Sequence, residues 1–279
     1  MRCVSFVIGF FLLITSVHAQ VMDLDSANVE IEIIGEGGHT GKCVKVIIRS
    51  LSKVKQKLQL KAGALFKSNN PAEQDLLLVE HIEPFSLEPN AEFSKLVAAF
   101  CTQSGNKSPA SEAKFSLGKA NKKLRELAVF IADNDLVSNA FVQQAVWAVS
   151  NDHSVAGIDY RKLDKGTQKL LKMVCALKGE QMPWYFVTYH APDSTAAFSG
   201  VVKSVEGDIS FNLAHNDVVT IVLFDQYKQT VKVFADETPY NQGRHSLSFT
   251  LSGKEVRPGT YTLKIYNNSR LLKEKVMKL

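Results

Sequence analysis

Apolar and polar side chains alternate along two long stretches of this chain, and a helical pattern separates the two stretches. Alternation with a period of two places every second side chain on one face of a strand, so it is typical of half-buried β-strands. The first stretch covers residues 29–100 and the second covers residues 207–266. From Ser116 the apolar residues recur every three or four positions, which predicts amphipathic helices. The apolar positions include Val29, Ile31, Ile33, Val44, Val46, Ile48, Leu58, Leu60, Leu76 and Leu78 in the first stretch, and Leu124, Leu127, Ala128, Ile131, Val142, Ala145, Val146 and Val149 in the helical part.

These patterns predict a mainly β fold with a helical subdomain. Turn-forming residues interrupt the alternation at short intervals, as in an antiparallel sandwich or barrel. We therefore expect an N-terminal β-sandwich or barrel over residues 20–115, helices packed on it over residues 116–180, and a linker over residues 181–199. Residues 200–279 are predicted to form an immunoglobulin-like β-sandwich of about seven strands. A chain of 279 residues is long enough for two or three such domains.

The first 19 residues have the pattern of a secretory signal peptide. Arg2 is basic, an apolar run follows from Val4 to Ile14, and Val17-His18-Ala19 resembles a signal-peptidase site. No later stretch approaches the roughly 18 unbroken apolar residues that a membrane helix needs. The mature chain is thus expected to have no transmembrane segment and to be secreted or on the outer cell surface, with the periplasm as the alternative.

Charge and cysteine content exclude some functions. The chain has 33 Lys and Arg against 28 Asp and Glu, a formal charge of +5, and this mild excess is scattered, so no nucleic-acid partner is expected. The histidines are dispersed, with no metal-binding spacing, so neither a metal nor another cofactor is expected. Cys43, Cys101 and Cys175 follow the signal segment. An odd number of cysteines leaves at least one sulfur outside any internal disulfide.

The positions of two cysteines on their strands can be predicted from the alternation. Cys101 shares parity with Val97 and should lie on the inner face of its strand, whereas Cys43 shares parity with Lys45 and should face the other way.

The C-terminal region resembles two related groups of domains. The resemblance rests on Val219–Asp225, on Asn241–Leu247 and most specifically on Val256-Arg257-Pro258-Gly259-Thr260-Tyr261. These segments are similar to immunoglobulin-like domains of the flagellar hook-capping type and to the C-terminal sorting domains of type IX secretion. The resemblance implies a β-sandwich that serves as a stalk or as a sorting signal read by the secretion machinery. The basic tail Leu271–Leu279 has a second interpretation, that of an edge strand kept soluble by its lysines.

A second resemblance links a cysteine to a later glutamine. Phe100-Cys101 and Val142-Gln143-Gln144-Ala145-Val146-Trp147 resemble the motifs of bacterial thioester domains. In that family a cysteine thiol and a glutamine side chain form an internal thioester that acylates amines on a host surface. The resemblance implies that Cys101 carries the acyl group, that Gln143 supplies the carbonyl and that Trp147 shields the bond. Alternatively, Cys101 is simply buried or pairs with Cys43, Gln143 hydrogen-bonds a loop and Trp147 belongs to the core.

From these features we expect a non-enzymatic binding or adhesion protein, exported to the surface or medium by a Gram-negative bacterium, with a protein or glycan ligand. A covalent adhesin with the Cys101–Gln143 thioester is the first alternative. A secreted hydrolase with an unrecognised nucleophile is the second, and it requires a deep cleft containing a perturbed histidine or carboxylate. The aromatic residues Trp184, Tyr185, Phe186 and Tyr189 either bind a glycan or form a hinge buried against the sandwich.

Overall fold

The structure is a computed structural model that describes residues 21–162, 165–192 and 197–279. The predicted signal segment, residues 1–19, lies outside the described residues. Strands account for 49% of the chain and helices for 17%, which confirms the predicted mainly β fold with a helical part. Within the described ranges, no helix is long and apolar enough to cross a membrane.

The elements follow the predicted order of strands, helices and strands. The N-terminal strands are β1 (Val21–Asp23), β2 (Val29–Glu36), β3 (Lys42–Ser50), β4 (Gln56–Leu60), β5 (Ala64–Ser68), β6 (Leu76–Leu78), β7 (Ile82–Leu87), β8 (Glu92–Cys101) and β9 (Ser111–Lys119). The helices are α1 (Lys122–Asp133), α2 (Val142–Ser150) and α3 (Lys165–Lys178), with short 3-10 turns at Leu24–Ser26, Val155–Gly157 and Tyr160–Lys162. The C-terminal strands are β10 (Tyr185–Tyr189), β11 (Val202–Leu213), β12 (Asp217–Phe224), β13 (Thr230–Tyr240), β14 (Gly243–Ser252), β15 (Thr260–Asn267) and β16 (Arg270–Lys278).

Six of the N-terminal strands close into a barrel in the order β2-β3-β8-β6-β5-β9. The predicted inner positions of β3 are confirmed, because Val44, Val46 and Ile48 are all fully buried in the barrel core. A small sheet, β1-β4-β7, lies beside the barrel and contributes Leu58 and Ile82 to the same core. The residues predicted as an N-terminal sandwich or barrel thus form a barrel with one accessory sheet.

Strand β8 separates two hydrophobic cores. Val97, Ala99 and Cys101 point into the barrel, whereas Ala98 and Phe100 pack against the three helices outside it. The alternation of a strand therefore supplies both cores with alternate residues of the same segment. This arrangement confirms the predicted inward position of Cys101 and fixes α2 against the outer face of β8.

The C-terminal strands form the predicted sandwich of seven strands in two sheets. One sheet has the order β10-β11-β14 and the other β13-β12-β15-β16. The Pro-Gly-Thr-Tyr segment forms a corner between them, where the hydroxyl of Tyr261 accepts from the N–H of Arg257 at 2.7 Å and donates to its carbonyl at 2.9 Å. A tyrosine hydroxyl that bonds the main chain just upstream of its strand is characteristic of immunoglobulin-like sandwiches.

Three details differ from the sequence predictions. Helix α1 begins at Lys122, since β9 continues to Lys119 and the predicted change at Ser116 falls inside this strand. The predicted linker over residues 181–199 contains β10, which pairs with β11 and is the first strand of the sandwich. Cys43 is only 4% exposed and faces the barrel core, because a bulge between Lys42 and Val44 turns it inward.

A fourth difference lies in the sandwich. The alternation of Val231 and Val233 predicts that both lie on one face of their strand, but Val233 is 49% exposed whereas Val231 is half-buried. Strand β13 is an edge strand, and three register shifts in its pairing with β12 interrupt the simple alternation.

Candidate functional site

The structure brings Cys101 and Gln143 into direct contact. The main-chain N–H of Cys101 donates to Gln143 Oε1 at 3.1 Å, and Gln143 Nε2 donates to the main-chain carbonyl of Cys101 at 2.8 Å. Cys101 is the last residue of β8, and the neighbouring strand β3 begins only at Lys42. The carbonyl of His39, in the turn before β3, extends the main-chain ladder to the N–H of Cys101, and the side-chain amide of Gln143 supplies the donor for the carbonyl of Cys101.

The sulfur of Cys101 lies on the other side of this contact. Its side chain is fully buried in the barrel core, close to the equally buried Cys43. Burial, and to a lesser degree the neighbouring Cys43, raise the pKa of the Cys101 thiol far above its ordinary value. Burial also raises the pKa of Cys43 to about 11, and this thiol contacts the carbonyl of Ala99 at 3.4 Å. All three cysteines in the described ranges are buried and in no disulfide. The raised pKa values keep the thiols of Cys43 and Cys101 protonated near pH 7.

Trp147 lies one helical turn after Gln143, at the centre of an aromatic cluster. The indole ring is 3% exposed and stacks on His39, with ring centroids 6.3 Å apart. The rings of His153 and Phe198 also pack against it, with centroids 5.9 Å and 5.5 Å from that of the indole. Its Nε1–H is buried and has no acceptor among the described residues. Such an unsatisfied buried donor is rare in folded proteins and makes the surroundings of Trp147 a candidate site.

Two serines of the loop after β8 each contact one histidine of this cluster. Ser108 Oγ lies 3.0 Å from His39 Nδ1, and Ser104 Oγ lies 2.9 Å from His153 Nε2. Burial lowers the pKa of both histidines, and for His153 the ammonium group of Lys178 lowers it further. Both imidazoles are therefore neutral near pH 7.

His39 reaches the cluster from a glycine-rich turn between β2 and β3. Gly37 and Gly38 have φ values of +89° and +87°, a region that residues with a Cβ rarely adopt. The turn places the carbonyl of His39 3.1 Å from the N–H of Cys101, which therefore has two acceptors.

The aromatic residues in and just before β10 are mostly engaged in packing. Tyr185 and Phe186 are 7% and 6% exposed, whereas Trp184 and Tyr189 are half-buried. Trp184 Nε1 donates to the carbonyl of Val276 at 2.8 Å. The hydroxyl of Tyr185 donates to the carbonyl of Lys278 and accepts from its N–H, both at 2.8 Å. Tyr185 and Phe186 are thus buried as predicted, but they belong to a strand of the sandwich and not to a hinge, while Trp184 and Tyr189 retain accessible surface.

A cleft of about 860 Å³ lies where the helical part meets the sandwich. Its walls include His153 and Lys178 from the helical side, and Trp184, Tyr189 and Phe198 from the sandwich side. Lys178 donates to the carbonyl of His153 at 2.7 Å and pairs with Asp152 at 2.9 Å and Glu180 at 3.1 Å. The cleft therefore combines aromatic surfaces with fixed polar groups, as ligand sites commonly do.

Arg161 fixes the position of the two sides relative to each other. Its guanidinium contacts Asp159 at 2.9 Å on the helical side and Glu206 at 3.0 Å on β11. The same group lies 4.3 Å from the centroid of the Phe186 ring. These contacts make the walls of the cleft parts of one packed interface.

Of the residues in this site, sequence reasoning identified Cys101, Gln143, Trp147, Trp184 and Tyr189 and missed the two serine–histidine pairs. Each pair joins residues far apart in the chain, and no motif relates them. The only available signal was the presence of two serines in the short loop between β8 and β9. Across the described ranges, no group of histidine, cysteine and carboxylate side chains could hold a metal ion.

Comparison with known proteins gives little further information. No protein family and no curated protein matches the sequence. A Bacteroides fragilis protein classed as a beta-galactosidase matches 88% of this chain at 10% identity and a TM-score of 0.21, and the match spans 34% of that protein. The CBM51-2 domain, in complex with GlcNAc, and the INT domains of Clostridium perfringens ZmpB match 91% of this chain and 80% of that one, at 12% identity and a TM-score of 0.19. At such TM-scores neither likeness bears on fold or function.

Proposed function

We propose that this chain is an exported bacterial binding protein whose ligand, a glycan or a protein, occupies the cleft between the helical part and the sandwich. The observation that carries this proposal is the cleft of about 860 Å³ with the half-buried rings of Trp184 and Tyr189 in its walls. Aromatic rings with polar edges supply much contact area at low entropic cost, and they are frequent in binding sites. The Arg161 contacts support the proposal, because a cleft held at constant width needs little reorganisation on binding.

The test uses an array of defined oligosaccharides and extracellular proteins, probed with the mature chain. Tyr189→Ala removes a wall of the cleft and is expected to weaken any ligand found by about tenfold or more. Tyr227→Ala is the matched control, because Tyr227 is 74% exposed in a turn of the sandwich and does not line the cleft. Equal binding by both variants would place the ligand elsewhere and would contradict the proposal.

A covalent mode of binding is the second candidate, and the contact between Gln143 and Cys101 favours it. In that reaction the thiol of Cys101 adds to the side-chain carbonyl carbon of Gln143 and ammonia leaves. The N–H of Cys101, 3.1 Å from Oε1, is placed to polarise this carbonyl. Against the reaction stand the raised pKa of the thiol and its position in the barrel core, from which the sulfur has to turn toward α2.

The intact mass of the mature protein decides between the two modes. A thioester lowers the mass by one ammonia molecule, and methylamine then raises it by adding to the carbonyl of Gln143 and freeing the thiol. Gln143→Ala and Cys101→Ser should each abolish both changes, whereas Gln144→Ala should preserve them. An unmodified mass that methylamine does not change would exclude the covalent mode and leave the conventional one.

A further inference from the structure

Ser104 lies at the tip of a tight turn that follows β8. The N–H of Asn106 donates to the carbonyl of Gln103 at 3.2 Å, which closes a four-residue turn with Ser104 and Gly105 at its two central positions. The side chain of Gln103 supports the base of this turn through two hydrogen bonds to Asp75. Gln103 Oε1 accepts from the N–H of Asp75 at 2.5 Å, and Gln103 Nε2 donates to the carboxylate of Asp75 at 2.9 Å. Ser104 is thus a half-buried hydroxyl on a well-supported turn.

His153 faces this hydroxyl from the segment that follows α2. Its Nε2 lies 2.9 Å from Ser104 Oγ, a distance suited to proton transfer. The imidazole packs between Trp147 and Phe198, with ring centroids at 5.9 and 4.3 Å. Asp152, just before the histidine, has a φ of +57°, the left-handed conformation in which helices commonly end, and this turn directs the chain away from α2.

Hydrogen bonds to the main chain fix the positions of Ser104 and His153 relative to each other. The N–H of Ser104 donates to Asn151 Oδ1 at 3.1 Å, and Lys178 binds the carbonyl of His153 at 2.7 Å. Since Asn151 and His153 are two residues apart, the same segment positions both the serine main chain and the histidine ring. The pair is therefore preorganised and is not a chance contact between two mobile side chains.

Space and a hydrogen-bond donor are available beside the hydroxyl. No atom outside residues 104–106 lies within 4 Å of the position that a Cβ would take on Gly105, so the tip of the turn is open. The main-chain N–H of the residue after a nucleophilic serine is a common donor to the oxyanion of acyl transfer, and Gly105 occupies that position. His153 lines the cleft of about 860 Å³ together with Tyr189 and Phe198, and Ser104 lies just behind it, 2.9 Å from His153 Nε2, so an acyl group has an apolar surface to occupy beside the pair.

We propose that Ser104 and His153 form a nucleophile and general-base pair that accepts the acyl group of a small ester bound at the cleft. His153 Nε2 takes the hydroxyl proton as Ser104 Oγ bonds to the ester carbonyl carbon. The alkoxide then leaves with that proton as an alcohol, and water, activated by the same imidazole, releases the acid and restores the serine. This activity goes beyond ligand binding and uses neither Cys101 nor Gln143.

The second serine–histidine pair provides an internal comparison. Ser108 contacts His39 through Nδ1 at 3.0 Å, and His39, unlike His153, does not line the cleft. If a serine–histidine contact alone were sufficient for reactivity, both serines would react. The proposal requires the reaction to occur at Ser104 only.

The mature chain is treated with an alkyl fluorophosphonate, which phosphonylates activated serines with loss of fluoride, and the product is analysed by intact mass and peptide mapping. One adduct is expected, on Ser104. Ser104→Ala should abolish it, Ser108→Ala should leave its rate unchanged, and His153→Asn should slow it by about 10²–10⁴-fold. The rate of hydrolysis of p-nitrophenyl acetate should follow the same order.

The pH dependence separates a chemical role of His153 from a structural one. The labelling rate should be constant near neutral pH. It should fall as the pH is lowered, with a midpoint below pH 6.5, because burial lowers the pKa of this imidazole. Ser104→Cys guards against a folding defect, since it retains a nucleophile and should be alkylated by iodoacetamide faster than Ser108→Cys. No adduct, an adduct of equal rate on Ser108, or labelling that survives in Ser104→Ala would overturn the proposal.

Discussion

Replacing Gln143 by methionine tests whether its amide completes the hydrogen-bond ladder of β8. Methionine has a similar length and volume, so the change removes two hydrogen bonds and leaves little empty space. The N–H of Cys101 keeps the carbonyl of His39 at 3.1 Å as an acceptor. The carbonyl of Cys101 loses the donor that contacted it at 2.8 Å and becomes a buried acceptor without a described partner. Such a group costs about 1–3 kcal/mol, and we expect the free energy of unfolding to fall by about 2 kcal/mol.

Equilibrium unfolding in urea measures this change as a lower midpoint at constant slope. Gln144→Met is the control on the same helix, because Oε1 of Gln144 is buried and has no hydrogen-bond partner among the described residues. Removing an unsatisfied group should change stability little or increase it slightly. If Gln143→Met and Gln144→Met unfold at the same urea concentration, the inference that Gln143 substitutes for a strand is wrong.

Gln143→Glu adds a pH dependence with a defined sign. A carboxylate at this position would face the carbonyl of Cys101, so the folded state favours the protonated side chain and raises its pKa above the unfolded value of about 4.3. The free energy of unfolding should then be highest below the pKa that this carboxyl has in the unfolded chain. It should decrease as the pH rises through the pKa that the carboxyl has in the folded protein. A variant that is equally stable at pH 4 and pH 7 would contradict this description of the site.

Three further predictions concern other parts of the fold. Tyr261→Phe removes the hydroxyl that closes the corner of the sandwich and should lower the free energy of unfolding by about 1–3 kcal/mol; an unchanged melting temperature would contradict the role given to this hydroxyl. Gly207→Ala would place a Cβ 2.6 Å from the ring of Phe249, and it should lower the urea midpoint by an amount equivalent to about 1–3 kcal/mol. His39 and His153 have pKa values that burial lowers from 6.5, so their contribution to stability should be complete above that pH and be lost as the pH falls through the folded pKa values; the double variant with glutamine at both positions should show a flatter profile between pH 7 and pH 5.

The sequence predicted the parts of the fold that depend on periodicity. The inner faces of β3 and β8 follow directly from alternation, and burial of Val46 and Cys101 confirms them. Cys101 and Gln143 are 42 residues apart, and their contact was predicted from the resemblance to thioester domains and not from periodicity. Whether that contact becomes a covalent bond stays a prediction.

Irregular features could not be predicted in the same way. A bulge adds one residue to a strand, so the parity argument for Cys43 gave the wrong face. Residues 181–199 were predicted to form a linker because Gln181-Met182-Pro183 ends the helical pattern, yet this range contains β10, which pairs with β11. Ser104 and His153 meet only because a turn and the end of a helix pack together, and no local pattern encodes such a meeting.

The side-chain hydrogen bonds that Trp184 and Tyr185 make with β16 influence how the sandwich would respond to mechanical tension. A pull applied between the helical part and residue 279 enters the sandwich through β10 and leaves through β16, which belong to different sheets. The side chains of Trp184 and Tyr185 join these strands directly, at Val276 and Lys278. Three side-chain hydrogen bonds therefore connect the first strand of the sandwich directly to the last, in parallel with the main-chain ladders of the five strands between them.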